Sequence, residues 1–295
     1  MKQNDVIAAI SQAVKELKTL RPVYANLLDF YEKLCSAQEA SKKTVHLDPL
    51  EISDELLAVK RKEGFPLIDP SEFAIDVNSS VALLTEFCRL AADSNAALAQ
   101  NAEKISQAVT NGSLEPSILF AQVLTGDDDH LQDLAKRLHV DKKVLAFATY
   151  ASMRPSLTGR AEELSTAYLD KETKWEKGYC PVCGSPPALS ILRGESGRRS
   201  LVCALCAYEW QTTRIHCPFC ENRDQNRLSY FFSEDEKDCR VDVCENCGKY
   251  IKTIDTRQMG RAVFPIVEQI ATLHLDMLAV ERGLESGVPD RKSVV

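Results

Sequence analysis

The chain has 295 residues, 44% of them hydrophobic and 27% charged, with a formal net charge of −7. This globular composition excludes collagen-like, fibrous and disordered acidic classes, and the length suits roughly two domains. The acidic surplus argues against a general nucleic-acid or anionic-membrane binder, because both need positive charge. No apolar run approaches the roughly 20 residues of a bilayer span, and the N-terminus opens into an amphipathic pattern rather than a secretory leader. A cytoplasmic protein is expected.

From Val6, the apolar positions Ile10, Ala13, Val14, Leu17 and Leu20 recur every three or four residues, the stripe of one buried helical face. Pro22 opens a second stretch with Val23, Leu27, Phe30, Tyr31 and Leu34 on one side. Ser53-Asp54-Glu55 reads as a capped helix start, and Gly64 with Pro66 as its stop. Helical runs follow over about 79–109, 116–124, 128–138 and 141–151, broken at Asn111-Gly112 and Gly126-Asp127-Asp128-Asp129. Arg154-Pro155 marks a further boundary, and 160–175 reads as a helix entering the next region. About six to eight such helices pack naturally as a bundle, so residues 1–175 are expected to form an α-helical domain. Cys35 and Cys88 fall on its apolar faces and read as core residues.

Residues 176–260 differ in kind. Aromatics concentrate there, runs such as Ser200-Leu201-Val202 and Arg240-Val241-Asp242-Val243 read as strands, and Gly/Pro/Ser turns separate them. Eight of the 11 cysteines form four Cys-x-x-Cys pairs: Cys180/Cys183, Cys203/Cys206, Cys217/Cys220 and Cys244/Cys247. Cys-Pro-x-Cys, a hairpin, Val-Cys-x-x-Cys and a following Tyr occur twice, so the region is an internal repeat. A Cys-x-x-Cys turn sets two sulfurs on one side of a tight knuckle, and two facing knuckles make a tetrahedral four-thiolate cage. Nineteen residues separate Cys183 from Cys203, and 23 separate Cys220 from Cys244, both compatible with a metal-bearing hairpin. Sequential pairing places Cys180, Cys183, Cys203 and Cys206 at one ion and Cys217, Cys220, Cys244 and Cys247 at another; interleaved pairing stays open. Four thiolates suit zinc or a single iron alike. A structural site of this kind contributes about 10–16 kcal/mol at neutral pH, more than so small a segment gains from its own core. Gly184 and Gly248 follow their knuckles, where positive φ is often needed, whereas Ala207 and Glu221 do not fit that habit.

The remaining features read as structural. Cys239 is a spare thiol, His216 is a neighbour of Cys217 rather than a ligand, and Glu234-Asp235-Glu236 is a solvated hairpin tip. Arg193, Arg198, Arg199 and Arg214 suggest a local basic patch, but basic and acidic residues nearly balance over 171–260, which weighs against a nucleic-acid-binding zinc ribbon. A thiol or iron redox protein is the other alternative. No phosphate loop, Gly-x-Ser-x-Gly or His-Glu-x-x-His occurs, and a closed four-thiolate site leaves no coordination position for hydrolytic chemistry, so a non-enzyme is expected. The segment over about 264–284 returns to helical spacing, so 261–295 is expected to be one helix packing back on the body, with a loose tail.

Tyr179-Cys180-Pro181-Val182-Cys183-Gly184-Ser185-Pro186, Cys203-x-x-Cys206 with Glu209-Trp210, Cys217-x-x-Cys220 and Cys244-x-x-Cys247-Gly248-x-Tyr250-Ile251-Lys252 together resemble the formate dehydrogenase accessory protein FdhE family. The N-terminal part shares Gly64-x-Pro66-Leu67 with it. The resemblance implies an α+β architecture: an N-terminal helical bundle, two tandem rubredoxin- or zinc-ribbon-like knuckle modules and a C-terminal helix. It also implies two metal ions, iron or zinc, held by the eight cysteines. Its functional implication is a cytoplasmic maturation factor, chaperone-like, that binds the catalytic subunit of respiratory formate dehydrogenase.

Overall fold

The computed structural model describes residues 3–170, 175–233, 236 and 238–288. It divides into two compact units, one of residues up to 49 with 70–160, the other of 50–69 with residues from 161 onward. Segment 50–69, expected in the helical domain, thus lies in the cysteine-bearing unit.

In chain order the helices are α1 (Gln3–Leu20), α2 (Ala25–Ser41), α3 (Asp54–Glu63), α4 (Val77–Ala92), α5 (Ala96–Thr110), α6 (Pro116–Thr125), α7 (Asp128–Leu138) and α8 (Lys142–Tyr168). All except α3 and the end of α8 build the first unit. Its core centres on Phe30, Tyr31, Phe87 and Phe147, whose ring centroids lie 5.1–6.3 Å apart, several of them edge to face. Pro22–Tyr24 is a single 3-10 turn, so Val23 is exposed and the buried stripe of α2 starts at Leu28. The expected run over 79–109 is two helices. Asn95 interrupts it because its side chain accepts the Leu98 N–H at 2.9 Å and caps a new start.

The boundary expected at Arg154-Pro155 is absent, and the stretches 141–151 and 160–175 belong to one helix ending at Tyr168; residues 171–174 lie outside the described chain. Proline inside a helix removes the donor that the carbonyl four residues earlier requires. That carbonyl is Ala151, and it accepts the side-chain amide of buried Gln38 from α2 at 2.9 Å. A neighbouring helix thus supplies the missing hydrogen bond.

The second unit is one sheet with helices against it. Its strands are β1 (Pro187–Arg193), β2 (Arg198–Cys203), β3 (Glu209–Gln211), β4 (Leu228–Phe231), β5 (Cys239–Cys244), β6 (Lys249–Asp255) and the short β7 (Glu285–Ser286). The order is β3-β2-β1-β6-β5-β4, with β7 also on β6. Each repeat makes an antiparallel sheet. The two fuse where β1 runs parallel to β6, Ser190 opposite Thr253 and Ile191 opposite Ile254. The tandem modules therefore share a single sheet.

The expected C-terminal helix is two helices, α9 (Pro265–Ala271) and α10 (Leu273–Glu281). The buried Lys252 ammonium on β6 donates to the carbonyls of Gln269 and Thr272, where α9 ends, and pairs with Asp276 of α10 at 2.5 Å. Leu275 and Ala279 pack on Leu189, Val241, Tyr250 and Ile254 of the sheet. Residues 289–295, expected as a tail, lie outside the described chain.

Gln38→Ala should destabilise the helical unit by about 1–3 kcal/mol, the cost of an orphaned buried carbonyl. Pro155→Ala, which restores the helical N–H, should recover most of that loss in the double variant. Denaturant unfolding of all four proteins measures the coupling, and additive effects would refute the compensation.

Candidate metal centres

The four knuckles share one backbone path. The residue after each pair, Gly184, Ala207, Glu221 or Gly248, has a φ between 57° and 69°. The second and third positions thus adopt, with ordinary side chains, the left-handed conformation expected only at the glycines. The fold imposes it at a cost of about 1–2 kcal/mol each. In three knuckles the N–H four residues on returns to the first cysteine's carbonyl: Gly184 to Cys180, Glu221 to Cys217 and Gly248 to Cys244, at 2.8–3.0 Å. Backbone N–H groups of Leu205 and Cys206 point at Cys203 Sγ, and that of Phe219 at Cys217 Sγ, a placement that favours the thiolate.

The knuckles also lock to one another in the same way in both repeats. The first knuckle of each repeat has proline after its first cysteine and so lacks an N–H there. The second has Ala204 or Glu245, whose N–H donates at 3.0 Å to Pro186 O or Arg227 O, at the mouth of its own hairpin. That bond fixes the facing of the two turns.

The sulfurs group sequentially: Cys180, Cys183, Cys203 and Cys206 in one cluster, Cys217, Cys220, Cys244 and Cys247 in the other, each set lying within 4.8 Å. In the first, Cys180–Cys206 and Cys183–Cys206 are 3.7 Å apart and Cys183–Cys203 3.5 Å; in the second, Cys217–Cys247 is 3.7 Å and Cys220–Cys244 3.6 Å. A tetrahedral ion about 2.3 Å from each sulfur needs edges of about 3.8 Å, whereas a disulfide closes to about 2.05 Å. The spacing fits metal cages, and each cluster could hold one ion.

The two centres differ in access. All four sulfur-bearing residues of the first are buried, while Cys220 is exposed and Cys247 half-buried. At the first, burial pushes the Cys180 and Cys206 thiols up, while hydrogen bonds from Cys180, Cys203 and Cys206 hold Cys183 far down, as a thiolate. At the second, burial raises Cys217. Burial also acts on Cys220, but the Asn246 amide, the Asn222 N–H and the adjacent thiols outweigh it and bring that thiol to about 7.

Several supports were not legible as such. Gly64 to Ile68 is a strap along the first knuckle: Leu67 N–H and Ile68 N–H donate to Pro181 O and Val182 O at 2.9 Å, and the Tyr179 hydroxyl donates to Gly64 O at 2.6 Å. Gly178 lies against Pro218 of the third knuckle so closely that a Cβ would meet its carbonyl oxygen at 1.9 Å. Arg199 of β2, in the first repeat, is only 4% exposed. It donates to Ser190 Oγ at 2.9 Å and to His216 O, next to Cys217, at 2.8 Å, and lies 3.6 Å from Asp242 of β5. A first-repeat residue thereby positions a second-repeat knuckle.

The four arginines do not form one exposed patch, although Arg199 and Arg214 line a shared cavity. Arg193 pairs bidentately with Glu209 and Arg199 turns inward. His216 is buried, its Nδ1 2.8 Å from Thr213 O, outside the four-sulfur group. Cys239 is a core residue of the sheet, and Cys35 and Cys88 are buried in the helices. Glu236, expected in a solvated tip, is buried and pairs with His274 at 2.7 Å; Glu234 and Asp235 lie outside the described residues. No helix among the described residues is long and apolar enough to cross a membrane.

Sheet, knuckles and helices together define a helical protein with a fused double tetracysteine module. Residues 179–214 match the FdhE central domain and 215–290 the FdhE C-terminal domain. A Protein FdhE homolog of Aquifex aeolicus is 32% identical over 52% of this chain and 58% of its own, and one of Edwardsiella ictaluri 34% over 45% and 41%. The chain thus spans about half the length of these relatives. A homolog from Pectobacterium carotovorum is 25% identical over 86% and 78%. The crystal structure of the FdhE protein from Pseudomonas aeruginosa is similar over 98% of this chain and 95% of that one, with a TM-score of 0.73 and 25% identity.

Metal release to a chelator should be biphasic, the exposed second centre emptying first. Cys217→Ser should remove the fast phase and Cys180→Ser the slow one; a single phase in the parent protein would contradict the difference in access. Arg199→Met should lower bound metal toward one ion per chain and cost about 1–3 kcal/mol through the unpaired His216 carbonyl. Elemental analysis showing two ions retained would remove Arg199 from this role.

Proposed function

We propose that this chain is a non-enzymatic, cytoplasmic accessory factor that binds an immature formate dehydrogenase catalytic subunit and supports its maturation. The observation carrying the reading is the pair of four-sulfur clusters fused through one sheet in a chain whose residues 179–290 match the FdhE central and C-terminal domains. In this reading the eight cysteines ligate two ions, which make a rigid platform. Four thiolates saturate an ion and leave no position for substrate, so recognition rather than hydrolysis suits the centres. A nucleic-acid role is less well supported, since the chain carries a net charge of −7 and Arg193 and Arg257 are paired with Glu209 and Asp255.

A second reading assigns electron transfer to a single iron at the second centre. The exposure of Cys220 favours it, because a redox partner needs close approach. Zinc has no accessible redox step and would reduce that centre to a staple.

Co-expression with a respiratory formate dehydrogenase catalytic subunit should yield a complex that survives purification and is lost with Cys180→Ser/Cys183→Ser. Absence of any complex with the metal-loaded parent overturns the proposal. Elemental analysis and the visible spectrum of the anaerobically purified protein decide between the readings, since a colourless zinc protein ends the redox one.

A further inference from the structure

Beside the second centre lies a cavity of about 330 Å³, within the second unit. Its size is near the lower end of the roughly 300–1,000 Å³ typical of ligand sites, enough for one or two side chains. Four cations line it, Arg199, Arg214, Arg240 and Lys249, against a single carboxylate, Asp242. That carboxylate is already committed: it accepts from Arg240 Nε at 2.7 Å and from the Thr253 hydroxyl at 2.7 Å, while Arg199 stands off at 3.6 Å. Arg214 Nη1 donates to the Ser196 carbonyl at 3.3 Å, and the Lys249 ammonium lies over the Phe219 ring at 5.9 Å. Four thiolates around a divalent ion at the second centre would carry a net charge of about −2, which leaves the wall with a surplus of about one positive charge. The wall therefore favours an added anion.

The rim is apolar and open. Ile215 is 47% exposed, and Tyr230 and Phe232, stacked with centroids 6.3 Å apart, are 58% and 54% exposed. Tyr230 lies on β4, the strand that ends the sheet, so among the described residues one row of its backbone N–H and C=O groups has no strand partner. An exposed edge of this kind accepts an extended peptide as an additional strand, and alternate side chains of that peptide then point to one face.

We propose that the β4 edge and this cavity form a docking site for an extended partner segment that carries acidic and apolar residues on one face, two positions apart. Its backbone pairs with β4, a carboxylate enters the cavity, and apolar side chains cover Tyr230, Phe232 and Ile215. The site deepens the client-binding reading above and rests on it for the partner's identity, but its test needs no formate dehydrogenase.

Random dodecapeptides are selected on the immobilised, metal-loaded full chain, and the enriched peptides are titrated against two variants, Arg214→Glu and Tyr230→Ser/Phe232→Ser. These residues are exposed and outside both sulfur clusters, so metal content should match the parent. Sequences with acidic and apolar residues two positions apart should be enriched, with binding weakened roughly tenfold or more by each variant and by added salt. No enrichment, enrichment of basic sequences, or peptides that bind both variants like the parent overturns the docking site. Each of these outcomes leaves the co-purification result standing, and failed co-purification with successful selection would overturn the client while keeping the site.

Discussion

Four sulfurs can close around one ion only if two tight turns face each other at a separation of a few ångströms, and the architecture of the second unit follows from that demand. Each turn spends its backbone on one path, ending in a left-handed residue that is glycine in two cases and alanine or glutamate in the others. The facing is set by one cross-knuckle bond per repeat, from Ala204 to Pro186 and from Glu245 to Arg227. An ion bound at such a cluster would contribute about 10–16 kcal/mol, enough to hold left-handed alanine and glutamate in place.

The second constraint is the seam between the repeats. Parallel pairing of β1 with β6 buries Ser190 and Thr253 side by side, and the charges beside them, Arg199 and Asp242, must be satisfied within the protein. Arg199 answers by bonding across the seam to the carbonyl that precedes Cys217. Strain or metal loss in one repeat therefore reaches the other through named hydrogen bonds. The strap at Gly64 to Ile68 extends the same logic to a distant part of the chain by pairing with Pro181 and Val182.

A sheet held in this way is a stiff surface with two open ends, β3 and β4. Around β4, cations outnumber the carboxylate available to them and aromatic rings stand in solvent. Rigid presentation of such an edge limits the ordering cost of binding to the incoming segment. The first centre is buried and the second is open, with Cys220 exposed in the cluster beside the cavity.

The helix starts at Ser53, Pro116 and Asp128, the Gly64 and Gly126 stops and the eight-cysteine repeat were legible because each signal lies within a few consecutive residues. The sequence by itself determined that a helical region precedes a repeated four-cysteine module. Tertiary structure alone decided that the sulfurs group sequentially rather than across the repeats, and that the two modules share a sheet. It also decided that Pro155 lies within a helix and that Glu236 and Arg199 point inward. The physical reason is distance along the chain. Ser190 meets Thr253, Gln38 meets Ala151 and Leu67 meets Pro181 through single hydrogen bonds or strand pairings between segments many turns apart. No local spacing encodes such partners, because the residues involved acquire their donors, acceptors and counter-charges only when the chain closes on itself.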